Sequence, residues 1–145
     1  MKESANEKPY RIDDFTTTLV NALVDKKAKN IRILNLVGLV SYCDRIIICT
    51  GNSSRHVRAL SEFITVTSKR QSIQPLGVEG QGLDKWILID LNDVIVHIFD
   101  PEFRPNYDLD ALWLDAPEIT LETLGIEMDD DSDSDDDSDE AFFTL

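Results

Sequence analysis

Trp86-Ile-Leu-Ile-Asp-Leu-Asn-Asp-Val-Ile-Val-His-Ile-Phe99 sets two apolar runs, rich in β-branched residues, on either side of Asp90-Leu91-Asn92-Asp93. Two such runs separated by a short Asx-containing turn predict a β-hairpin. The runs are too continuously apolar for a sheet wetted on one side, so the second strand is expected to be covered on both faces. Yet Trp86 opens the hairpin, Asp90 and Asp93 bracket its turn, and His97 interrupts its far strand. Aromatic and polar groups held on rigid strands suit either a recognition surface or a catalytic site.

Upstream, Ile12, Phe15, Leu19, Ala22 and Leu23 recur at helical spacing, predicting an amphipathic helix that begins at Asp13 or Asp14 and ends near Lys29-Asn30. A strand is expected over Ile31 to Val37, a connector from Gly38 to Asp44, and a short, central, fully buried strand over Arg45 to Thr50. Gly51-Asn52-Ser53-Ser54 turns the chain into a second helix whose buried face carries Val57, Leu60, Phe63, Ile64 and Thr67. Another strand is expected over Gln74 to Glu79, a glycine loop over Gly80 to Asp84, and a closing helical turn within Leu109 to Leu114. The order α-β-β-α-β-β-β gives an α/β domain with a mixed sheet, because a hairpin requires antiparallel pairing and a helical crossover favours a parallel pair.

The chain has 145 residues, which suits one domain of the usual size, roughly 100–150 residues. Residues 1–9 read as a polar leader, 10–117 as the domain and 118–145 as an acidic tail. The formal charge of −14 misleads, since ten acids and no base lie between Glu127 and Glu140. The remainder carries 18 acids against 14 bases, too little positive charge for autonomous binding to DNA or RNA. The Asp- and Ser-rich tail cannot bury apolar area and is expected to be disordered. Its Ala-Phe-Phe-Thr-Leu145 tip is either a solubilising end or a docking peptide. Cys43 and Cys49 are the only cysteines; without further ligands they form neither a zinc site nor a disulfide framework, and read as thiols in a reducing cytosol. No signal-peptide core or bilayer-spanning run is present, so a cytoplasmic protein is expected, with no membrane partner.

Three groups of residues invite a functional reading. Gly51-Asn52-Ser53-Ser54-Arg55-His56 offers free amides to an anion, but an ordinary N-cap at Ser53 or Ser54 accounts for the same residues. Asp90, Asp93 and His97 suggest a metal or acid–base chemistry; however, Asp93 and His97 lie ~13 Å apart along a strand, so turn chemistry and a satisfied histidine are favoured. Trp86 is either core or the rigid anchor of an interface. Leu91, an apolar residue at a hairpin tip with no evident core to enter, favours the interface. No cofactor or metal site is expected.

Cys49-Thr-Gly-Asn-Ser-Ser-Arg-His-Val57, Pro75-Leu-Gly-Val-Glu-Gly80, Trp86-Ile-Leu-Ile-Asp90, Asp93-Val-Ile-Val-His-Ile-Phe99 and Tyr107-Asp-Leu-Asp-Ala-Leu-Trp113, in this order and spacing, resemble the ribosomal silencing factor family, also called RsfS or Iojap. The resemblance covers about Ile12 to Pro117 and implies a nucleotidyltransferase-like α/β fold. It further implies a non-enzymatic protein that binds the large ribosomal subunit through its protein L-fourteen, blocks an intersubunit bridge and so represses translation. In the family the partner-facing patch maps to Trp86, Asp90 and Leu91; Asn92 and Asp93 are added by adjacency. Where the family usually places glycine in the hairpin turn this chain has Asn92, which tolerates positive φ. A homodimer is a further possible partner state. The alternative function is a nucleotide-binding enzyme of nucleotidyltransferase type, against which the chain lacks the alternating carboxylates expected on a strand after the Gly51 turn. A general adaptor acting through the tail is a third reading.

Overall fold

The computed structural model describes residues 11–106 and 116–127. Helix α1 (Ile12–Asp25) precedes strands β1 (Lys29–Asn35) and β2 (Arg45–Thr50). Helix α2 (Ser54–Arg70) follows, then β3 (Gly77–Glu79), β4 (Trp86–Asp90), β5 (Val94–Phe99) and the single turn α3 (Phe103–Asn106). The five strands form one sheet in the order β1-β2-β5-β4-β3. Neighbours are antiparallel except β2 and β5, which run parallel from Arg45↔Val94 to Thr50↔Phe99. This is the expected mixed sheet, with the hairpin and β2 bounded where the sequence places them.

Period-two alternation then sorts the side chains. Ile33, Ile47, Cys49, Val94, Val96, Ile98, Ile87 and Ile89 point to one face and share a core with Phe15, Leu19 and Leu23 of α1 and Val57, Leu60 and Ile64 of α2. Both helices therefore lie on the same side. On the opposite face, Leu34, Ile46, Ile48 and Phe99 form a smaller cluster covered by Leu36 and Cys43 of the β1–β2 connector and by Ala116, with Val40 and Phe103 packed against it. The second hairpin strand is thus covered on both faces, as its apolar run predicts. Arg45, buried at the start of β2, ties α1 to the sheet through Asp13 at 2.9 Å and Asn35 Oδ1 at 3.0 Å.

Three expectations change. First, α1 stops at Asp25 rather than near Lys29-Asn30, because Lys27 takes a φ of 69° while its N–H bonds the Val24 carbonyl and that of Ala28 bonds Leu23. This is a Schellman stop built without glycine, so β1 begins two residues before the expected Ile31. Second, the strand expected over Gln74 to Glu79 is confined to Gly77–Glu79. Third, the chain does not leave the domain at Pro117. The Pro117 carbonyl accepts from the Asn35 N–H, the Ile119 N–H donates to Ile33, and Glu118 pairs with Arg32 at 3.0 Å. Ile126 enters the main core, and Ile119, Leu121 and Leu124 pack against it. The polar leader 1–9, the closing turn within 109–114 and the acidic tail from 128 onward lie outside the described residues.

Candidate functional site

Alternation on β4 aims Ile87 and Ile89 at the helices and leaves Trp86, Leu88 and Asp90 on the opposite face, where all three remain half-exposed. Their cross-strand partners on β5 are Phe99, His97 and Ile95. Trp86 stacks on Phe99 with ring centroids 5.1 Å apart at 23°, and lies 5.9 Å from the His97 ring at 35°. Its indole Nε1–H donates to His97 Nδ1 at 3.0 Å, so the ring proton of neutral His97 sits on Nε2. Burial, which penalises the charged imidazolium, lowers the His97 pKa to about 4. From behind, the Gly80 backbone approaches Trp86 so closely that a Cβ there would stand 2.0 Å from the Trp86 carbonyl oxygen, at a φ of +95°. The indole is thus held by the Phe99 stack and the His97 bond, while the Trp86 backbone lies tight against Gly80.

The turn closes the far end of the same strand, ~13 Å away at the usual rise. Asp90 Oδ1 accepts from the Asn92 N–H at 2.9 Å, and Asn92 takes the positive φ of 77° that the sequence permits. The Leu91 N–H donates to the Val94 carbonyl, so the turn proper is Asn92-Asp93 and Leu91 still belongs to the strands. Leu91 is consequently 0% exposed, within the helix-side core. The expectation of an apolar tip without a core is overturned. Exposed apolar side chains lie elsewhere, among them Leu76, 68% exposed, whose N–H bonds the Asp90 carbonyl, and Tyr42, 57% exposed, on the connector. Nothing in the sequence marks either except that the chain returns there. The Asp93 carbonyl receives the N–H groups of Asp44 and Arg45, docking the connector on the turn. Burial, reinforced by the charges of Asp44, Asp90 and Asp93, pushes the intervening Cys43 thiol up to about 11, far from the reactive thiolate range.

Among the described residues no group of three or more His, Cys, Asp or Glu side chains could hold a metal ion. His97 meets Trp86, not Asp90 or Asp93. The Gly51 turn is an N-cap: Ser53 Oγ accepts the His56 N–H at 3.2 Å, and His56 Nδ1 accepts the Asn52 N–H at 2.8 Å. With Nδ1 accepting, His56 Nε2 donates to the Lys26 carbonyl at 2.7 Å. These two amides are therefore engaged within the protein rather than offered to an anion.

Trp86 and the acidic turn thus stand at the two ends of β4 on its half-exposed face, and the chain that carries them has relatives. Residues 9–142 match the family model described as "Ribosomal silencing factor during starvation". The chain belongs to the ribosomal silencing factor family. A ribosomal silencing factor of Halalkalibacterium halodurans is 41% identical over 71% of this chain and 88% of its own length. The crystal structure of a protein from Chromobacterium violaceum superposes with a TM-score of 0.70 at 36% identity, covering 72% of this chain and 87% of that one. A mouse protein, "Mitochondrial assembly of ribosomal large subunit protein 1", is 29% identical over 66% of this chain but only 43% of its own length. No helix among the described residues is long and apolar enough to cross a membrane.

Proposed function

We propose that this member of the ribosomal silencing factor family docks on the large ribosomal subunit through its protein L-fourteen, on the surface that faces the small subunit. There it occupies an intersubunit bridge, prevents the subunits from joining and represses translation in the cytoplasm. The observation that carries the reading is the half-exposed row Trp86, Leu88 and Asp90 on a strand whose other face is packed against both helices. A large side chain fixed in a well-packed setting has the character of an interface hot spot. Asp90 and Asp93, at the far end of the same strand, complement a basic partner, favouring orientation and on-rate more than raw affinity, with Asn92 between them as a neutral contact; Leu91, being buried, acts from beneath by holding the turn. The mouse relative's name, which concerns the large subunit, supports the choice of subunit.

Such blocking requires no catalysis, because a domain seated on the bridge excludes the small subunit by volume. The enzymatic alternative loses its main support at the Gly51 turn, where Asn52 and His56 amides are engaged and the chain continues as α2 rather than as a carboxylate-bearing strand. Co-sedimentation with isolated large and small subunits, followed by a subunit-joining assay, tests the reading. Binding to the large subunit alone, inhibited joining, and loss of both in Trp86→Ala are expected. Binding to neither subunit would refute it, and saturable binding of a magnesium nucleotide would restore the enzyme.

A further inference from the structure

We propose that His97 is the positioning residue of this docking face: its Nδ1 holds the indole N–H of Trp86, and this bond, with the Phe99 stack, fixes the ring in the orientation a partner meets. The inference rests on the docking reading above and assigns a role to a residue that reading leaves out.

The surroundings of His97 argue against a merely space-filling histidine. Its neighbours on the same face are Leu88 opposite on β4, Ile48 opposite on β2, and Ile95 and Phe99 on its own strand, a setting in which an aliphatic residue would pack without a polar group to satisfy. A buried polar atom is tolerated when it is hydrogen-bonded, and among the described residues the bond to the His97 ring comes from Trp86. The indole N–H and the His97 Nδ1 therefore satisfy each other across the strands, diagonally to the Trp86↔Phe99 pair. The three rings are consecutive on one face, with His97 and Phe99 6.3 Å apart at 12°. A side chain oriented before encounter does not lose its rotamer freedom on binding, which is worth roughly two- to tenfold in affinity. Burial keeps the imidazole neutral at ordinary pH, so the Nδ1 lone pair is available throughout.

The test uses the full-length protein with isolated large subunits and, in parallel, the two indole N–H resonances of Trp86 and Trp113, assigned with Trp113→Phe. His97→Phe removes the acceptor while keeping a ring; His97→Leu serves if the larger ring overpacks. His97→Asn returns an acceptor oxygen near the Nδ1 position. Removal of the acceptor is expected to shift the Trp86 indole resonance and weaken binding about two- to tenfold, and His97→Asn to recover most of both. Combined with Trp86→Ala, His97→Phe is expected to add no further loss, because its effect passes through the indole. Unchanged binding in His97→Phe, or losses that multiply in the double variant, would overturn the proposal, as would failure of His97→Asn to recover binding despite a restored indole resonance. Were the wild type itself not to bind large subunits, the variants would match it and the docking reading would fall, an outcome distinct from failure at His97 alone.

Discussion

The two faces of β4 differ by a one-residue step. Ile87 and Ile89 are wholly buried under the helices, whereas Trp86, Leu88 and Asp90, alternating with them, are half-exposed on the other side. The helix face is apolar and closed; the second face is covered over β2, much of β5 and the Leu34 end of β1 but leaves β4 half-open. On the docking reading proposed above, stability and recognition fall on alternate positions of the same five residues. The division can be broken by experiment. Ile89→Ala removes buried atoms from the closed face and is expected to cost about 2–5 kcal/mol of stability, measured by urea unfolding. Its docking, assayed where the variant is still folded, should be unchanged. A docking defect in the folded variant would show that the two faces are not separable.

Acid tests the boundary between the faces. His97 is buried yet belongs to the open side, and its pKa falls from 6.5 to about 4 because burial disfavours the charged ring. The unfolded chain takes up a proton near pH 6.5 that the folded protein refuses until about pH 4. The histidine's neutral burial therefore costs nothing above pH 6.5, and stability is progressively lost as pH falls from there to about 4. The total loss is on the order of 3 kcal/mol. Unfolding free energies at pH 7.5 and 5 should diverge more for the wild type than for His97→Asn, which has nothing to titrate. Equal divergence would mean that His97 is protonated without penalty, and hence that it is less enclosed than its contacts indicate.

On the open face the expected magnitude is smaller and appears in binding. Trp86→Ala should retain the fold and weaken large-subunit binding by about 2 kcal/mol or more, the range of interface hot spots. Calorimetry that finds unchanged affinity in a folded Trp86→Ala protein would remove the tryptophan from the interface and leave Asp90, Asn92 and Asp93 to account for docking.

The sequence made the closed face far more legible than the open one. Continuous apolar runs located β2 and the outer ends of the hairpin to the residue, since burial on both sides leaves little freedom in composition. Leu91 was misplaced because Asp90-Leu91-Asn92-Asp93 reads as one four-residue turn, whereas the ladder continues to Leu91↔Val94 and only Asn92-Asp93 cross over. The Trp86–His97 bond joins residues eleven apart whose meeting depends on hairpin register, and register is settled only once the turn is known. Residues 118–127 were read as tail because the charge of the following stretch masked Ile119, Leu121, Leu124 and Ile126, which pack on the core. The end of α1 was missed for a different reason: the usual glycine is absent.

That absence supplies the smallest and cleanest test of the closed face. At the end of α2 the Ser72 N–H bonds the Lys69 carbonyl and the Ile73 N–H bonds Ser68, with Ser72 at a φ of 65°. This is the same stop used after α1, again with a side chain in the left-handed region that glycine occupies at little cost. Ser72 is exposed, so replacing it disturbs no packing. Glycine gains relief of the left-handed strain and loses some through its greater freedom in the unfolded chain, leaving a net stabilisation of about 0.5–1 kcal/mol. In a domain of this size that corresponds to a Tm rise of roughly 2–6 °C. Docking should stay at the wild-type level, because the change lies at the end of a helix that packs on the other side of the sheet from Trp86. A Tm that falls instead would mean that Ser72 is comfortable in its conformation, and that the stop is maintained by the Ser68 hydroxyl, which donates to the Ile73 carbonyl at 2.6 Å, rather than endured.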